Sequence, residues 1–370
     1  MAVFDFDRVC VVAELGTSHN ANRSMLEKLI KAAVASGADW IKGQVVFADE
    51  ILHPDAGIVK LPGGDVALFD RFKSLEQDYD FYRFFAELVL SEGALPFFSV
   101  FGKRSLELVL TLYKDTGGLF PALKIASPEL NYYQLIRQAA KCMPLVLSTG
   151  VSRLSDMENA AEWVKESGGD FMFLHCVTSY PAPEEDYNLS LLPHLSAVFG
   201  CPMGISDHSR DAVLVPALAV SQGAVMIEKH FCLERSGEGL DDPIALTPDD
   251  FYKMVKAVRK AETSSPEDTI KELTAVYGKE RVQAVIGDGV KKLAQSERVN
   301  YGRTNRSIHA KRNIKKGERL TGDAVCIVRT EKKLNPGIAP VFLDDILGKI
   351  VARDIKSGEG IVWQDFMMTD

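Results

Sequence analysis

Two histidines frame the most chemically loaded stretch of this 370-residue chain. Ser206-Asp207-His208 opens it, Ile227-Glu228-Lys229-His230 follows, and Gly239-Leu240-Asp241-Asp242 closes it. Each histidine lies just past a short apolar run with acids beside it. Neutral imidazoles with oxygens nearby are what a divalent-metal site requires. Read alone, the same pair also suits two hydrogen-bonded histidines at strand ends. The metal reading gains weight because most other apolar runs in the first two thirds of the chain end on a polar, reactive residue.

Taken in chain order, those ends carry Glu14, then Lys42 and Gln44, Ser99, then Lys124, Ser127 and Glu129, Ser148, then His175, Thr178 and Tyr180, then Ser206 and His208, then Glu228 and His230. Two lysines and a row of serines suit a phosphate or phospho-carboxylate, the lysines as point charges and the hydroxyls as short donors. Carboxylates suit acid–base work and sugar hydroxyls. Each residue has a structural alternative. Ser148-Thr149-Gly150 would serve as a helix cap, Tyr180-Pro181-Ala182-Pro183 as a rigid turn, Glu14 as the partner of a strand-end lysine, and Cys176 as a packed thiol.

Stepping the runs against their intervals gives the elements that must hold these groups. Short β-branched runs alternate with segments of helical period, the signature of a parallel sheet with crossover helices. Eight strands are expected: Val9–Leu15, Trp40–Val46, Leu95–Val100, Ala122–Ala126, Pro144–Ser148, Phe171–His175, Pro202–Ile205 and Ala224–Glu228. Helices are expected over, for example, Ser24–Ser36, Asp80–Ser91, Asn131–Lys141, Ser155–Glu166 and Asp211–Ser221. Eight such units in about 265 residues predict an α/β fold, a (β/α)8 TIM barrel, whose strand ends share one mouth. A doubly wound open sheet competes. The first turn, Glu14 to Asn20, lacks the G-x-G-x-x-G spacing of a dinucleotide fold, which favours the barrel.

Ala48 to Tyr79, carrying Pro54 and Pro62-Gly63-Gly64, reads as a long irregular insertion that covers substrate. A helix capped by Thr247 runs to about Glu262, and the expected organisation is a TIM barrel over 1–265, a linker over 266–303 and a small β-rich domain over 304–370. In that tail, Ile314-Lys315-Lys316-Gly317-Glu318-Arg319-Leu320 recurs as Ile355-Lys356-Ser357-Gly358-Glu359-Gly360-Ile361, which predicts a pseudo-symmetric unit.

Composition sets outer limits. A formal net charge of -8 provides no broad basic excess for nucleic acid. No apolar run approaches membrane-spanning length. The N-terminus shows no basic-then-apolar secretory pattern, and the six cysteines have no close pair, so a cytoplasmic location with free thiols is expected.

The motifs together resemble the sialic acid synthases. The residues that carry the resemblance are Ala13-Glu14-Leu15-Gly16 with His19-Asn20, Lys42-Gly43-Gln44, Leu123-Lys124-Ile125-Ala126-Ser127 with Glu129, Leu147-Ser148-Thr149-Gly150, Leu174-His175-Cys176 with Tyr180-Pro181-Ala182-Pro183, Gly204-Ile205-Ser206-Asp207-His208 and Ile227-Glu228-Lys229-His230-Phe231. Ser307 to Phe366 is similar to that family's antifreeze-like SAF domain. The resemblance implies condensation of phosphoenolpyruvate with an open-chain N-acetylhexosamine, N-acetylmannosamine or a relative, to a nonulosonic acid and phosphate.

It further implies a divalent metal, Mn2+ or Mg2+, on His208 and His230, with the sugar aldehyde on the metal. Phosphoenolpyruvate would be gripped by Lys42, Ser99, Lys124, Ser127, Ser148 and Ser206. Glu14 would handle water or the intermediate, and Gln44, Glu129, Thr178, Tyr180, Glu228 and Asp241 would face the acceptor. A domain-swapped homodimer is implied, with Arg329 reaching the partner's barrel.

This chain departs from the family at Gly43, where phenylalanine is usual, at Phe47, where lysine is frequent, at Thr178, and at Asp241-Asp242. These departures are expected to lie mostly toward the acceptor, which leaves legionaminic, pseudaminic and spore-coat-type products open. A sugar-binding relative without turnover is one alternative. A synthase acting on a phosphorylated aldose is another, and the absence of a lysine at Phe47 argues against it.

Overall fold

The computed structural model describes residues 4–61 and 64–367. Eight parallel strands close into a barrel: β1 (Cys10–Glu14), β2 (Trp40–Gln44), β3 (Leu95–Ser99), β4 (Leu123–Ile125), β5 (Leu145–Ser148), β6 (Phe171–Cys176), β7 (Met203–Asp207) and β8 (Met226–His230). Pairing of β1 with β8, Cys10 opposite Met226 through Glu14 opposite His230, completes the ring and excludes the open sheet. The expected runs are recovered with ends shifted by a residue or two. The largest difference is at β7 and β8, which run on to Asp207 and His230, so His230 is a strand residue.

The strand period of two sorts the side chains. Cys10, Val12, Trp40, Phe97, Ala122, Val146, Met172, Leu174 and Met226 form an apolar plug within the ring. Alternate residues such as Val11, Ile41, Phe98 and Ile227 pack outward against the helices in the main core. Above the plug, the same inward positions are polar.

The helices lie near their expected spans, for example Arg23–Ala35 and Tyr79–Ser91. Asn22 and Asp78 cap them by accepting from the backbone N–H of Met25 and Phe81. Asp211 does not begin a helix; its carboxylate accepts from Val213 and Leu214 N–H at 2.8 and 2.9 Å ahead of the helix Leu214–Ser221.

The insertion after β2 is not irregular. It holds a short helix Ala48–Ile51, an antiparallel hairpin of Ile58–Leu61 with Gly64–Ala67, and a helix Leu68–Leu75. Ile51, Leu52, Val59, Leu68, Phe72 and Leu75 give it an apolar core of its own. Pro62 and Gly63 of the expected turn lie outside the described residues.

The helix after β8 spans Pro248–Thr263, and the stretch beyond carries two helices, Pro266–Tyr277 and Lys279–Ile286. In the tail, β9 (Arg306–Ala310) pairs antiparallel with β10 (Val325–Arg329). The sequence repeat is realised as local two-fold pairing. Ile314 N–H donates to the Ile355 carbonyl and Ile355 N–H to the Ile314 carbonyl, both at 2.9 Å. Both isoleucines are buried in the tail's core. Among the described residues no helix is long and apolar enough to cross a membrane.

Candidate active site

Inward positions at the C-terminal ends of the strands bring Glu14, Lys42, Gln44, Ser99, Lys124, Ser148, Ser206, Glu228 and His230 to one cavity of about 350 Å³. At its floor, Lys42 Nζ lies 2.7 Å from Glu228 Oε1 and 3.4 Å from Glu14 Oε2. Lys124 Nζ donates to Ser148 Oγ at 2.7 Å and lies 3.7 Å from Glu228 Oε1. Ser206 Oγ donates to the same Glu228 oxygen at 2.9 Å, and Gln44 donates to Glu14. Glu14 Oε2 and Glu228 Oε2 are buried with no hydrogen-bond partner.

Burial drives the Lys124 ammonium down to a pKa of about 8, and Glu228 only partly restores it. Burial acts the same way on Lys42, but Glu14 and Glu228 outweigh it and keep that pKa raised. For Glu228 burial opposes the charge, and Lys124, Lys42 and Ser206 overcome it, holding the carboxyl at about 2. The floor is therefore a buried polar cluster with one weakly compensated ammonium and two carboxylate oxygens that receive no hydrogen bond.

The two imidazoles stand beside it, ring centres 5.4 Å apart. Tyr180 stacks on His208 at 4.3 Å. His208 Nδ1 faces the Val177 carbonyl at 2.9 Å, so this nitrogen donates, and in the neutral ring Nε2 carries the lone pair. Burial holds His230 at about 3, hence neutral, with its Nδ1 3.8 Å from Asp241 Oδ2. Cys176 lines the same cavity with Sγ 3.8 Å from His208 Nδ1, closer to the chemistry than its reading as a packed thiol implied.

Ser127 and Thr178 complete one wall. Ser127 Oγ accepts from Gly150 N–H at 3.0 Å, and Val151, next along, has φ +43. A β-branched residue in this left-handed region is costly and persists only where its surroundings impose it. Glu297, beyond the helix Lys279–Ile286, does so: its Oε1 accepts from Val151 N–H at 2.7 Å and Thr178 N–H at 2.6 Å. The opposite wall is apolar, with Ile51, Val59, Leu68 and Phe72 of the insertion and Leu240, in line with its expected covering role.

The tail closes the mouth of its own barrel. Arg329 lines the cavity, its Nε and Nη2 donating to Glu129 Oε1 and Oε2 at 2.9 and 3.0 Å. Glu129, expected to face the acceptor, is fully buried behind Arg329 instead. His175 also departs from its expected place. The strand alternation turns it outward, where Nε2 donates to the Tyr187 carbonyl at 2.6 Å.

Most of the departures from the family pattern lie away from the cavity. Gly43 faces the helices, where a Cβ would come within 2.9 Å of Phe85. Phe47 lies under the Arg104 guanidinium, 3.8 Å from the ring centre, and does not line the cavity. Asp242 accepts from Ser18 and from Gly239 N–H at 2.8 Å, shaping a turn. Only Thr178 and Asp241 reach the site.

Two residues were invisible to motif reading. Arg306 shares Glu129 with Arg329, and Lys291, from the segment after the helix Lys279–Ile286, is half-buried near Cys176 and Glu297 with its ammonium weakened by desolvation. A lysine in a mixed charged segment gives no sign of which groups it will approach, and Arg306 at a strand start reads as ordinary surface charge.

The NeuB family model matches residues 29–269, and the SAF domain model matches residues 305–367. A pseudaminic acid synthase of Campylobacter jejuni is 34% identical over 97% of this chain and 97% of its own length. An N,N'-diacetyllegionaminic acid synthase of Legionella pneumophila is 29% identical over 96% of this chain and 93% of its own. The crystal structure of the spore coat polysaccharide biosynthesis protein SpsE of Bacillus subtilis matches with a TM-score of 0.80 at 30% identity, covering 98% of this chain and 96% of that one. Motifs, closed barrel and tail agree with these matches: the chain belongs to the NeuB family, the family of the sialic acid synthases, and carries a C-terminal SAF domain.

Proposed function

We propose that this protein condenses phosphoenolpyruvate with the open-chain form of an N-acylated amino sugar, giving a nonulosonic acid and inorganic phosphate. The observation that carries the reading is the cavity floor: two desolvated ammoniums, Lys42 and Lys124, with Ser148 hydrogen-bonded to Lys124 and Ser206 to Glu228, beside two facing imidazoles. An anionic three-carbon donor compensates the ammonium that Glu228 leaves underpaired. The relatives named above are pseudaminic and legionaminic acid synthases, which supports the same reaction class.

In the reaction, C3 of phosphoenolpyruvate forms the new bond to the aldehyde carbon and the aldehyde oxygen takes a proton. Water adds at C2, and the C2–O bond to phosphate breaks. Lys42, Lys124 and the serines hold the donor's charged groups, while Glu14, with one oxygen that receives no hydrogen bond, takes or delivers a proton at the water. Tail and insertion exclude solvent. The apolar wall of Ile51, Val59, Leu68, Phe72 and Leu240 favours acceptors bearing methyl groups, as N-acetyl substituents do.

The imidazoles fit a divalent ion in chemistry: His230 is neutral, and His208 has one nitrogen committed to a carbonyl and the other to offer. No third His, Cys, Asp or Glu joins them as a preassembled set among the described residues. His208 and His230 would therefore hold the ion with oxygen ligands from outside the chain. When bound, such an ion supplies Lewis acidity toward the acceptor carbonyl.

The test is phosphate release from phosphoenolpyruvate and Mn2+ across a panel of N-acylated hexosamines. Sugar-dependent release with at least one is expected; none with any would overturn the reading. Metal content by mass spectrometry should fall in His208→Ala and His230→Ala. The swapped dimer implied by the resemblance would exchange the tail contacts between two chains, and a monomer by light scattering would remove it.

A further inference from the structure

β9 and β10 pair so that Arg306 and Arg329 stand directly opposite each other. Directly paired residues share one face of a two-stranded sheet, and two like charges there repel. Glu129 of the barrel sits between them. Arg306 Nη2 lies 2.8 Å from Glu129 Oε1, and Arg329 Nη2 lies 2.9 Å from the same oxygen.

The two arginines are otherwise unlike. Arg306 is wholly buried, and its fork is used up. Nε donates to Glu129 at 3.0 Å, Nη2 to the Phe101 carbonyl at 3.0 Å, and Nη1 to the Ile327 carbonyl at 3.2 Å and to the Glu50 carbonyl. Its backbone is tied to Asn131 through both N–H and carbonyl. One side chain thus joins tail, barrel and insertion. Arg329 spends only Nε and Nη2 on Glu129, and it lines the cavity.

We propose that Arg306 is a positioning residue for acceptor binding: it neutralises Glu129 from behind, so that Arg329 is held in register by that carboxylate yet keeps its positive charge for the cavity. Within the ion-paired cluster two guanidiniums meet one carboxylate, and Glu331, the other carboxylate near Arg329, acts on it only through space. Without Arg306 the surplus disappears, and Glu129 would cancel Arg329. The inference rests on the condensation reading above.

The experiment measures KM for the acceptor and for phosphoenolpyruvate separately in full-length Arg306→Gln, Glu129→Gln and the double variant, alongside wild type. Arg306→Gln should raise acceptor KM on the order of tenfold, the loss of one charge-assisted contact, and leave the phosphoenolpyruvate KM within about twofold. The double variant, which restores the surplus charge, should recover much of the acceptor KM, whereas a purely structural role predicts that it is worse than either single change.

Equal effects on both substrates, or no recovery in the double variant, would overturn the proposal. If Arg306→Gln does not fold, Arg306→Lys decides: it keeps the charge, so an acceptor KM raised tenfold or more contradicts the proposal, and one within about threefold supports it. Absence of turnover in wild type would instead count against the condensation reading.

Discussion

Glu228 and Lys229 are neighbours on β8 and point to opposite sides of the barrel wall, each into a buried lysine–carboxylate cluster. On the outer side, Lys229 Nζ reaches Asp207 Oδ2 and the Ser209 carbonyl at 2.6 Å each, with Ser209 Oγ at 3.2 Å and the Asp211 carbonyl at 3.3 Å. Tyr187 OH donates to the other Asp207 oxygen at 2.6 Å. Every polar atom there has a partner. On the inner side, Glu228 and Glu14 each leave an oxygen without a hydrogen bond, and Lys124 stands 3.7 Å from its nearest carboxylate. The same residue types at the same depth differ in completeness. A finished network fixes the fold, whereas an unfinished one is paid for only if a ligand finishes it.

The contrast is broken most severely at the inner cluster. Lys42→Met should reduce kcat/KM for phosphoenolpyruvate by roughly a thousandfold, with a smaller loss of stability in denaturant unfolding than Lys229→Met, because Lys124 still stands 3.7 Å from Glu228 and the carboxylates line a cavity. A collapse of the fold would mean that the inner cluster is structural after all. Lys229→Met should do the reverse: it strands Asp207 as an unpaired buried charge, costing about 3–5 kcal/mol of stability in denaturant unfolding, while the phosphoenolpyruvate KM of the folded fraction stays within about twofold.

The pH response is a gentler probe. With Lys124 held at about 8, kcat/KM for phosphoenolpyruvate should fall as pH rises through that value, approaching about tenfold per unit above it. Stability runs the other way. Between about 8 and the ordinary lysine value of 10.5 the unfolded chain binds more protons than the folded one, so this group makes the fold more stable as pH rises across that window. A rate profile flat to pH 10 would detach Lys124 from the donor. Smallest of all, Phe47→Lys should leave both KM values within about twofold, since its side chain lies outside the cavity; a marked gain toward phosphorylated aldoses would contradict that placement.

The barrel was legible because two periodicities, apolar runs and the helical segments between them, are local properties of the chain. The floor was legible for the same reason: lysines and serines at the ends of apolar runs have to share a mouth once the ring closes. Reading fell short where the answer depended on which side of a strand a residue faces. His175 turns outward between Leu174 and Cys176, and Gly43 turns outward between Lys42 and Gln44, a one-residue matter that motif spacing does not carry. It also fell short where partners are remote in sequence, as with Glu129 meeting Arg306 and Arg329 across 177 and 200 residues. The insertion looked irregular because its helices are a single turn or two, too short to show a period.

Glu297 carries a practical lesson for anyone who would trim this protein. Its carboxylate, delivered by the segment that leads into the SAF domain, is what keeps Val151 in its unfavourable backbone geometry and secures the amide of Thr178. Cutting the chain after the helix ending at Ile286 would therefore remove more than a cover. The loop behind Ser148 would be released to relax, and the excised barrel would be an injured catalyst, not a minimal one.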